Sequence, residues 1–276
     1  MTPAVLVDKA GIVLLWSLPE VLSSDFQNLM WEALNPISGM LANSIADPKA
    51  KGTWRTAHGN FTSADTQGRL NFSPAWFQQG RNGSMSCPEV SATLKARNQD
   101  QGGRAWLKQM ILPSAVLSAA MAVMHPDLYA AGLEAVVRLY QDLAVLHPDD
   151  PALVEMAEML RLWPSVFTAT SVMVNRVTPF HRDHNSRVQW YDLLASIGSY
   201  IHAWFEVPTL ETACYYPPGS VVTVSGLLVR HGVAPTEGNR LCVTSYMRDN
   251  VHQAVGVHRS DWVSYHALPA LWAGNQ

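Results

Sequence analysis

Ten histidines are spread along the 276 residues of the chain. Three of them open a His-x-Asp triplet: His125-Pro126-Asp127, His147-Pro148-Asp149 and His181-Arg182-Asp183. Two histidines and one carboxylate on one face of a metal leave the opposite positions open, which is the donor set of a non-haem Fe(II) oxygenase. A His and an Asp two residues apart on extended chain point to the same side, so one triplet can supply two of the three ligands. The spacing alone decides little, because a chain so rich in histidine produces such triplets by chance.

Context separates the three. The first two carry Pro in the middle and lie between helical segments, where Asp caps and Pro breaks, so they read as helix-start turns. The third follows a β-like run, VMVNRV, and opens a polar loop. Forty-eight residues after Asp183 the run GLLVR, expected to be a strand over 227–230, delivers His231. Nine residues later, past the turn APTEGN, Arg240 opens the run RLCVTSYM. A hairpin here would set Arg240 beside His231, and a guanidinium fork there suits the distal carboxylate of a 2-oxo dicarboxylic acid such as 2-oxoglutarate. Taken one at a time, His231 could be a hydrogen-bonded core histidine and Arg240 a surface residue. The ordered set His181, Asp183, His231 and Arg240 is far more specific than any member, and it points to Fe(II), 2-oxoglutarate and O2.

The elements that must position these residues divide the chain in two. The first part, residues 1–164, reads as helix-rich. A strand is expected over 12–16, and a helix over 26–34 capped by Ser23-Ser24-Asp25 and ended by Pro36. Further helices are expected over 114–124, 129–146 and 151–162, the last with Pro at its start. Residues 47–104, rich in Gly, Ser, Asn, Gln and Pro, read as long loops whose aromatic residues argue for packing. From 165 to 260 the texture is that of an antiparallel β-core. Strands are expected over 167–177, 193–205, 214–216, 221–224, 227–230 and 240–247, separated by turn signals. One 276-residue α+β domain results, its β-sandwich or barrel buttressed by helices.

Composition narrows the class further. Apolar residues make up 48% and charged residues 15%, which suits a globular protein with a large core rather than a disordered one. The three cysteines are widely spaced with no CxxC, so neither a disulfide framework nor a zinc site is expected, and a reducing, intracellular setting fits. No apolar run approaches a membrane span. The net charge of −3 hides segregation. Residues 49–108 hold nine basic against three acidic side chains, and 110–165 hold two against seven. A basic segment of this kind can attract a polyanion, or it can be ordinary solvated surface.

The stretches NRVTPFHRDHNSRVQWYDLLASIGSY and YYPPGSVVTVSGLLVRHGVAPTEGNRLCVTSYMR resemble the TET/JBP family of Fe(II)/2-oxoglutarate-dependent DNA dioxygenases, in particular its small fungal and protist members. The resemblance spans roughly residues 165–252. It implies a double-stranded β-helix (jelly-roll, cupin-like) core flanked by helices, with His181, Asp183 and His231 as iron ligands and Arg240 as the 2-oxoglutarate anchor. It further implies that Arg176 contacts the cosubstrate, that Cys242 assists, and that Tyr246 stacks on a base flipped out of DNA. At the position where the family has a base-reading histidine this chain has Arg248, and the polar reader after the first ligand corresponds to Asn185 or Ser186.

The implied activity is oxidation of the methyl group of 5-methylcytosine in DNA, by a monomer acting in the nucleus. Other methylated bases (thymine, N6-methyladenine), a protein or small-molecule substrate, or a non-catalytic binding role are the competing readings. Among the remaining residues, His202 in SYIHAWFEV is expected in the core and His252 and His258 at the surface. Met110, Met121, Met124, Met156 and Met159 are expected to pack helices. Trp54 or Trp76 could border a nucleic-acid groove.

Overall fold

The computed structural model describes residues 2–46, 53–62, 64, 66–77, 87–95, 101–145, 147–184 and 186–273. Eleven strands are present among them: β1 (Ala4–Val7), β2 (Val13–Leu18), β3 (Gly68–Phe72), β4 (Ala169–Val174), β5 (Thr178–His181), β6 (Asp192–Ile201), β7 (Trp204–Val207), β8 (Thr212–Tyr215), β9 (Ser220–Val224), β10 (His231–Val233) and β11 (Glu237–Tyr246). They form a seven-stranded sheet in the order β1-β2-β9-β6-β11-β4-β3 and a four-stranded sheet in the order β5-β10-β7-β8. Every pairing is antiparallel. This is the double-stranded β-helix.

The period-two alternation of strands explains how the two sheets face each other. Met173, Leu194, Val222, Val224 and Cys242 of the large sheet pack with Phe205, Val207 and Val233 of the small one. The opposite face of the large sheet is also buried. Val172, Leu193, Ala195, Ile197, Leu241 and Val243 lie in one cluster with Met30, Leu117, Met121, Leu128, Met156 and Met159 from the helices. A strand covered on both sides reads as a continuous apolar run rather than an alternating one. That accounts for the unbroken burial of β4 and of the first part of β6.

The helices are α1 (Ser24–Glu32), α2 (Ser38–Ala42), α3 (Gly102–Gln109), α4 (Ile111–Met124), α5 (Pro126–Arg138), α6 (Pro151–Leu162), α7 (Asp249–Ala254) and α8 (Leu268–Ala273). Ser23 caps α1 by accepting from the Phe26 N–H at 3.3 Å, as its sequence suggests. The His-Pro-Asp triplets do sit before helices, but the capping atoms differ from those expected. His125 itself caps α5 through its ring, and Asp150, after the second triplet, caps α6. The five methionines expected to pack helices are all buried. No single helix among the described residues is long and apolar enough to cross a membrane.

Several expectations are corrected. The segment 193–205 is not one strand. His202 adopts φ 57°, breaks the chain between β6 and β7, and is exposed rather than in the core. The segment 227–230 is a turn, with the N–H groups of Leu228 and Val229 donating to the Ser225 carbonyl, and the strand begins at His231 itself. Three strands of the large sheet, β1, β2 and β3, come from before residue 164. Residues 47–104, read as loops, contribute β3, whose Leu70 and Phe72 face the core while Arg69 and Asn71 face inward to the opposite sheet. His252 is buried rather than at the surface.

Two buried histidines make stability depend on acid. His125 and His252 are each 1% exposed. His125 must stay neutral at Nδ1 to accept from Leu128 N–H, and His252 packs on the Trp190 ring with both nitrogens unpartnered. Burial holds each at about 4, against the weaker opposing pull of Asp127 on one and Asp249 on the other. The unfolded chain therefore takes up protons near pH 6.5 that the fold resists until about 4. Stability contributed by this neutral form is complete above pH 6.5 and is lost as pH falls through that window, by on the order of 3 kcal/mol for each histidine. Urea midpoints measured from pH 7 to pH 4 should fall steeply, and His252→Leu should flatten that slope; an unchanged slope would contradict the assignment.

Candidate metal centre and cosubstrate pocket

His181 ends β5 and His231 begins β10, and these two residues are register partners across the small sheet. Pairing sets their rings side by side, with centroids 4.5 Å apart. Each ring is oriented by its own backbone. His181 Nδ1 meets the Pro179 carbonyl and His231 Nδ1 meets the Val229 carbonyl, both at 2.9 Å. A carbonyl only accepts, so each Nδ1 carries the hydrogen and each Nε2 presents its lone pair to the space between the sheets. Phe205 stacks on the His231 ring from behind at 5.3 Å and fixes its plane.

Asp183 closes the triad. Its N–H donates to the Gly226 carbonyl at 2.9 Å, which turns the carboxylate back toward the histidines. Oδ1 lies 3.4 Å from His181 Nε2 and Oδ2 lies 3.5 Å from His231 Nε2. All three ligand atoms fall within 4.8 Å of one another. Gly226 leaves room for two carboxylates: a Cβ there would stand 2.5 Å from Asp192 Oδ2 and 3.1 Å from Asp183 Oδ2 and would press on both side chains. Burial would raise the Asp183 carboxyl, but His181 whenever its ring is protonated, through a hydrogen bond and its charge, then His231 in the same state and Arg55, hold it well below the usual range. Burial and the neighbouring His181 push His231 down, which favours the neutral ligand form. The donor set, its ionisation and its convergence all fit a divalent metal with open positions.

Arg240 is not the hairpin neighbour of His231. It lies on β11, between β6 and β4 of the large sheet, on the wall opposite the small sheet that carries the two histidines. The turn after Val233 carries the chain from one sheet to the other. Asn175, in a left-handed conformation with φ 52°, holds Arg240 in place: its Oδ1 accepts from Arg240 N–H and its own N–H donates to the Arg240 carbonyl, both at 2.8 Å. Arg240 Nε donates to Ser196 Oγ at 2.9 Å, and the guanidinium lies over the rings of Tyr216 and Tyr200.

Arg240 is 5% exposed, and among the described residues no carboxylate pairs with it. Arg176 is buried nearby, and its Nε and Nη1 have no hydrogen-bond partner among the described residues. Burial, then the charges of Arg69, Arg55 and Arg240, lower it to about 9. Cys242 is buried within electrostatic reach of both guanidiniums. Two buried cations that lack a counter-ion among the described residues, beside a metal site, suit a small dianion, which is what 2-oxoglutarate is.

The residues expected to face a substrate divide. Tyr246 alternates with Arg240, Cys242 and Thr244 on β11, so it shares their inward face, farther along the strand. Arg248 follows the strand, lies over the Trp76 ring at 5.5 Å and has an unpartnered, buried Nε. Ser186 is half-buried, and its Oγ has no partner among the described residues. Asn185 lies outside the described residues.

Arg55, Arg69 and Asp192 were not anticipated at the site, and Trp54, expected to border a nucleic-acid groove, lies against a metal-site histidine. Trp54 packs on the His181 ring at 4.6 Å, and Arg55 Nη2 meets Asp183 Oδ1 at 3.0 Å. Arg69, half-buried with an unpartnered Nε, lies within electrostatic reach of Tyr246 and Asp183. Asp192 is fully enclosed behind Asp183, and burial with that neighbouring charge raises its carboxyl well above normal. Only Arg69 leaves a trace in sequence, in the alternation of GRLNF.

The unpaired charge of Arg240 gives a two-sided prediction. Arg240→Met should weaken 2-oxoglutarate binding at least thirtyfold, the loss of roughly 2 kcal/mol or more expected when a buried charge-assisted pair is broken. Without cosubstrate the same variant should melt at or above the wild-type temperature, because a buried cation has been replaced by an apolar group of similar reach. Calorimetry with and without 2-oxoglutarate checks both; a wild-type affinity would remove Arg240 as the anchor.

The Tet_JBP family, described as the oxygenase domain of the 2OGFeDO superfamily, matches residues 73–249. Among solved structures, NgTET1 in complex with 5mC DNA aligns with a TM-score of 0.55 and 13% identity, over 91% of this chain and 78% of that one. OsALKBH1 aligns with a TM-score of 0.37 and 11% identity, over 89% of this chain and 100% of its own. No curated protein matches in sequence. At 13% identity the likeness to NgTET1 speaks for the fold, and it agrees with the double-stranded β-helix. The family match covers more than half of the chain and includes all three metal-site residues and both buried arginines. The chain belongs to the Tet_JBP oxygenases of the 2OGFeDO superfamily, dioxygenases that use Fe(II), 2-oxoglutarate and O2.

Proposed function

We propose that this dioxygenase oxidises the methyl group of 5-methylcytosine in DNA. The observation that carries the reading is the inward row of β11. Arg240 and Cys242 lie at the cosubstrate end of that row and Tyr246 at the other, with the triad facing them from the small sheet. A flat group entering past Tyr246 would meet an aromatic face before reaching the metal. A base inside a duplex cannot reach a metal held between two sheets, so the nucleotide has to leave the stack. Stacking on Tyr246 would offset part of that cost. The structural likeness to NgTET1, solved in complex with 5mC DNA, agrees with this choice of substrate.

The bound iron, with 2-oxoglutarate and O2, supplies the oxidising power for an unactivated methyl group. The protein's part is to orient and to exclude water. His181, Asp183 and His231 would hold the metal on one side, and Arg240 and Arg176 would hold the cosubstrate's carboxylates. Arg69 and Arg248 present only donors, which suits the adjacent ring-nitrogen and carbonyl acceptors of cytosine. The carbonyl oxygens of thymine would also accept from them, so a thymine methyl is the second reading.

We assign phosphate contacts to the rim of the site, because several cations of residues 49–108 are paired with acids. Lys95 pairs with Glu89, Arg104 with Glu155 and Glu158, and Arg55 with Asp183, so these cations are already engaged. Lys49, Lys51, Arg81 and Arg97 lie outside the described residues. Arg182 and Arg230 each adjoin a ligand histidine and are exposed. The double variant Arg182→Ala/Arg230→Ala should weaken DNA binding and lower the slope of log K against log salt by about two, one for each phosphate no longer neutralised. An unchanged slope would put the phosphates elsewhere.

The activity itself is tested by supplying Fe(II), 2-oxoglutarate and O2 with duplexes carrying 5-methylcytosine, thymine only, or N6-methyladenine, and measuring succinate and base products together. Oxidised cytosine, coupled to succinate, is the expected result. Tyr246→Ala should cut kcat/KM about tenfold or more, the worth of stacking one base on one ring, while succinate release without DNA stays unchanged. Succinate formed with unchanged DNA would overturn the substrate and leave the dioxygenase standing.

A further inference from the structure

The loop before β3 is built onto the site rather than hung near it. Ala57 bridges to Ala46, Phe61 bridges to Arg176, and Thr62 N–H donates to the Asn175 carbonyl at 2.9 Å. Val177 N–H returns a bond to the Asn60 carbonyl at 2.8 Å, and Asn60 Nδ2 holds the Trp54 carbonyl at 2.7 Å. The loop is thereby fixed to the segment that joins the cosubstrate arginine to the first ligand strand. It lies outside the span matched by the family.

Its tip places two side chains. Trp54 packs against the His181 ring, and both Arg55 and Arg176 lie over the Trp54 ring, at 4.5 Å and 5.2 Å. Arg55 Nη2 then donates to Asp183 Oδ1 at 3.0 Å, leaving Oδ2 on the His231 side, 3.5 Å from Nε2. A carboxylate can bind a metal through one oxygen or through both. If Asp183 used both, it would take a position that the cosubstrate or O2 needs. A guanidinium hydrogen-bonded to one oxygen disfavours that alternative.

We propose that Arg55 is a positioning residue that reserves Oδ1 of Asp183, so that the metal is held through Oδ2 alone and its open positions stay available to cosubstrate and O2. Trp54 is the platform that fixes the guanidinium, and by carrying Arg176 on the same ring it ties the order of the metal side to that of the cosubstrate side. The inference rests on the metal assignment and does not involve the nucleic acid.

The test uses Co(II) in place of Fe(II), with the full chain and no DNA. In Arg55→Ala the visible d–d absorption of the Co(II) protein should differ from wild type before any 2-oxoglutarate is added. Co(II) affinity should stay within about threefold, because all three ligands remain, and 2-oxoglutarate should bind the Co(II) protein at least tenfold more weakly. Arg55→Lys, which keeps a charged donor, should recover most of the wild-type spectrum and affinity, and it also serves if the alanine variant is poorly folded. A wild-type spectrum in Arg55→Ala would overturn the proposal. So would a loss of Co(II) affinity as large as the loss for 2-oxoglutarate, which would make Arg55 part of the metal-holding framework. A failure to act on methylated DNA would leave this result untouched.

Discussion

A buried guanidinium with no carboxylate to pair it is expensive, and among the described residues this is the state of two, Arg240 and Arg176, at one end of the space between the sheets. Much of the local architecture serves to tolerate that. Tyr200 and Tyr216 lay their rings beneath Arg240, Ser196 takes its Nε hydrogen, and Asn175 clamps its backbone from both sides. Asp183, the ionised carboxylate facing this space, is already shared between two histidines and Arg55. Among the described residues, positive charge therefore exceeds negative in this cavity, and a metal would increase the excess. A dianionic cosubstrate supplies the missing counter-charge, and its binding would stabilise the site as well as feed the reaction.

The sheets make this arrangement possible because they keep the two halves of the chemistry on separate walls. The small sheet brings His181 and His231 together by strand register, with no long side chain required to reach. The large sheet carries Arg240 and Tyr246, the residues we assign to cosubstrate and base, on a single strand, spaced by the two-residue period of β11. The helices act from farther away. They cover the outer face of the large sheet and keep β4 and β6 rigid, so the distance between the walls is set by core packing.

Much of this is legible in sequence, and the reasons differ by residue. The triad and Arg240 stand out because each is tied to a local pattern: a triplet after a β-run, a histidine before a turn, an arginine after it. The strand texture after residue 165 also points to the right class of fold. The relation between patterns is what stays hidden. His231 and Arg240 are close in sequence, and proximity suggests a hairpin, yet the turn between them changes sheets. Nothing in nine residues distinguishes a turn that pairs its arms from one that crosses between layers. His202 alternates correctly for the core, and only its left-handed backbone shows that the strand ends there.

The residues that escape a reading of the sequence are those whose role depends on distant chain. Trp54 and Arg55 sit in a region of loop-like composition, 128 positions from Asp183 in the case of Arg55, and no periodicity marks them. Asp192 reads as a polar residue before a strand and is instead enclosed behind a metal ligand. Local charge counts ignore acids brought in from afar, and Glu155 and Glu158 reach Arg104 from helix α6. The most direct measurement of the whole account is an anaerobic crystal structure with Fe(II) and 2-oxoglutarate. The metal should bind His181, Asp183 and His231, with the distal carboxylate of the cosubstrate on Arg240; a metal bound elsewhere, or a cosubstrate that leaves Arg240 unpaired, would contradict it.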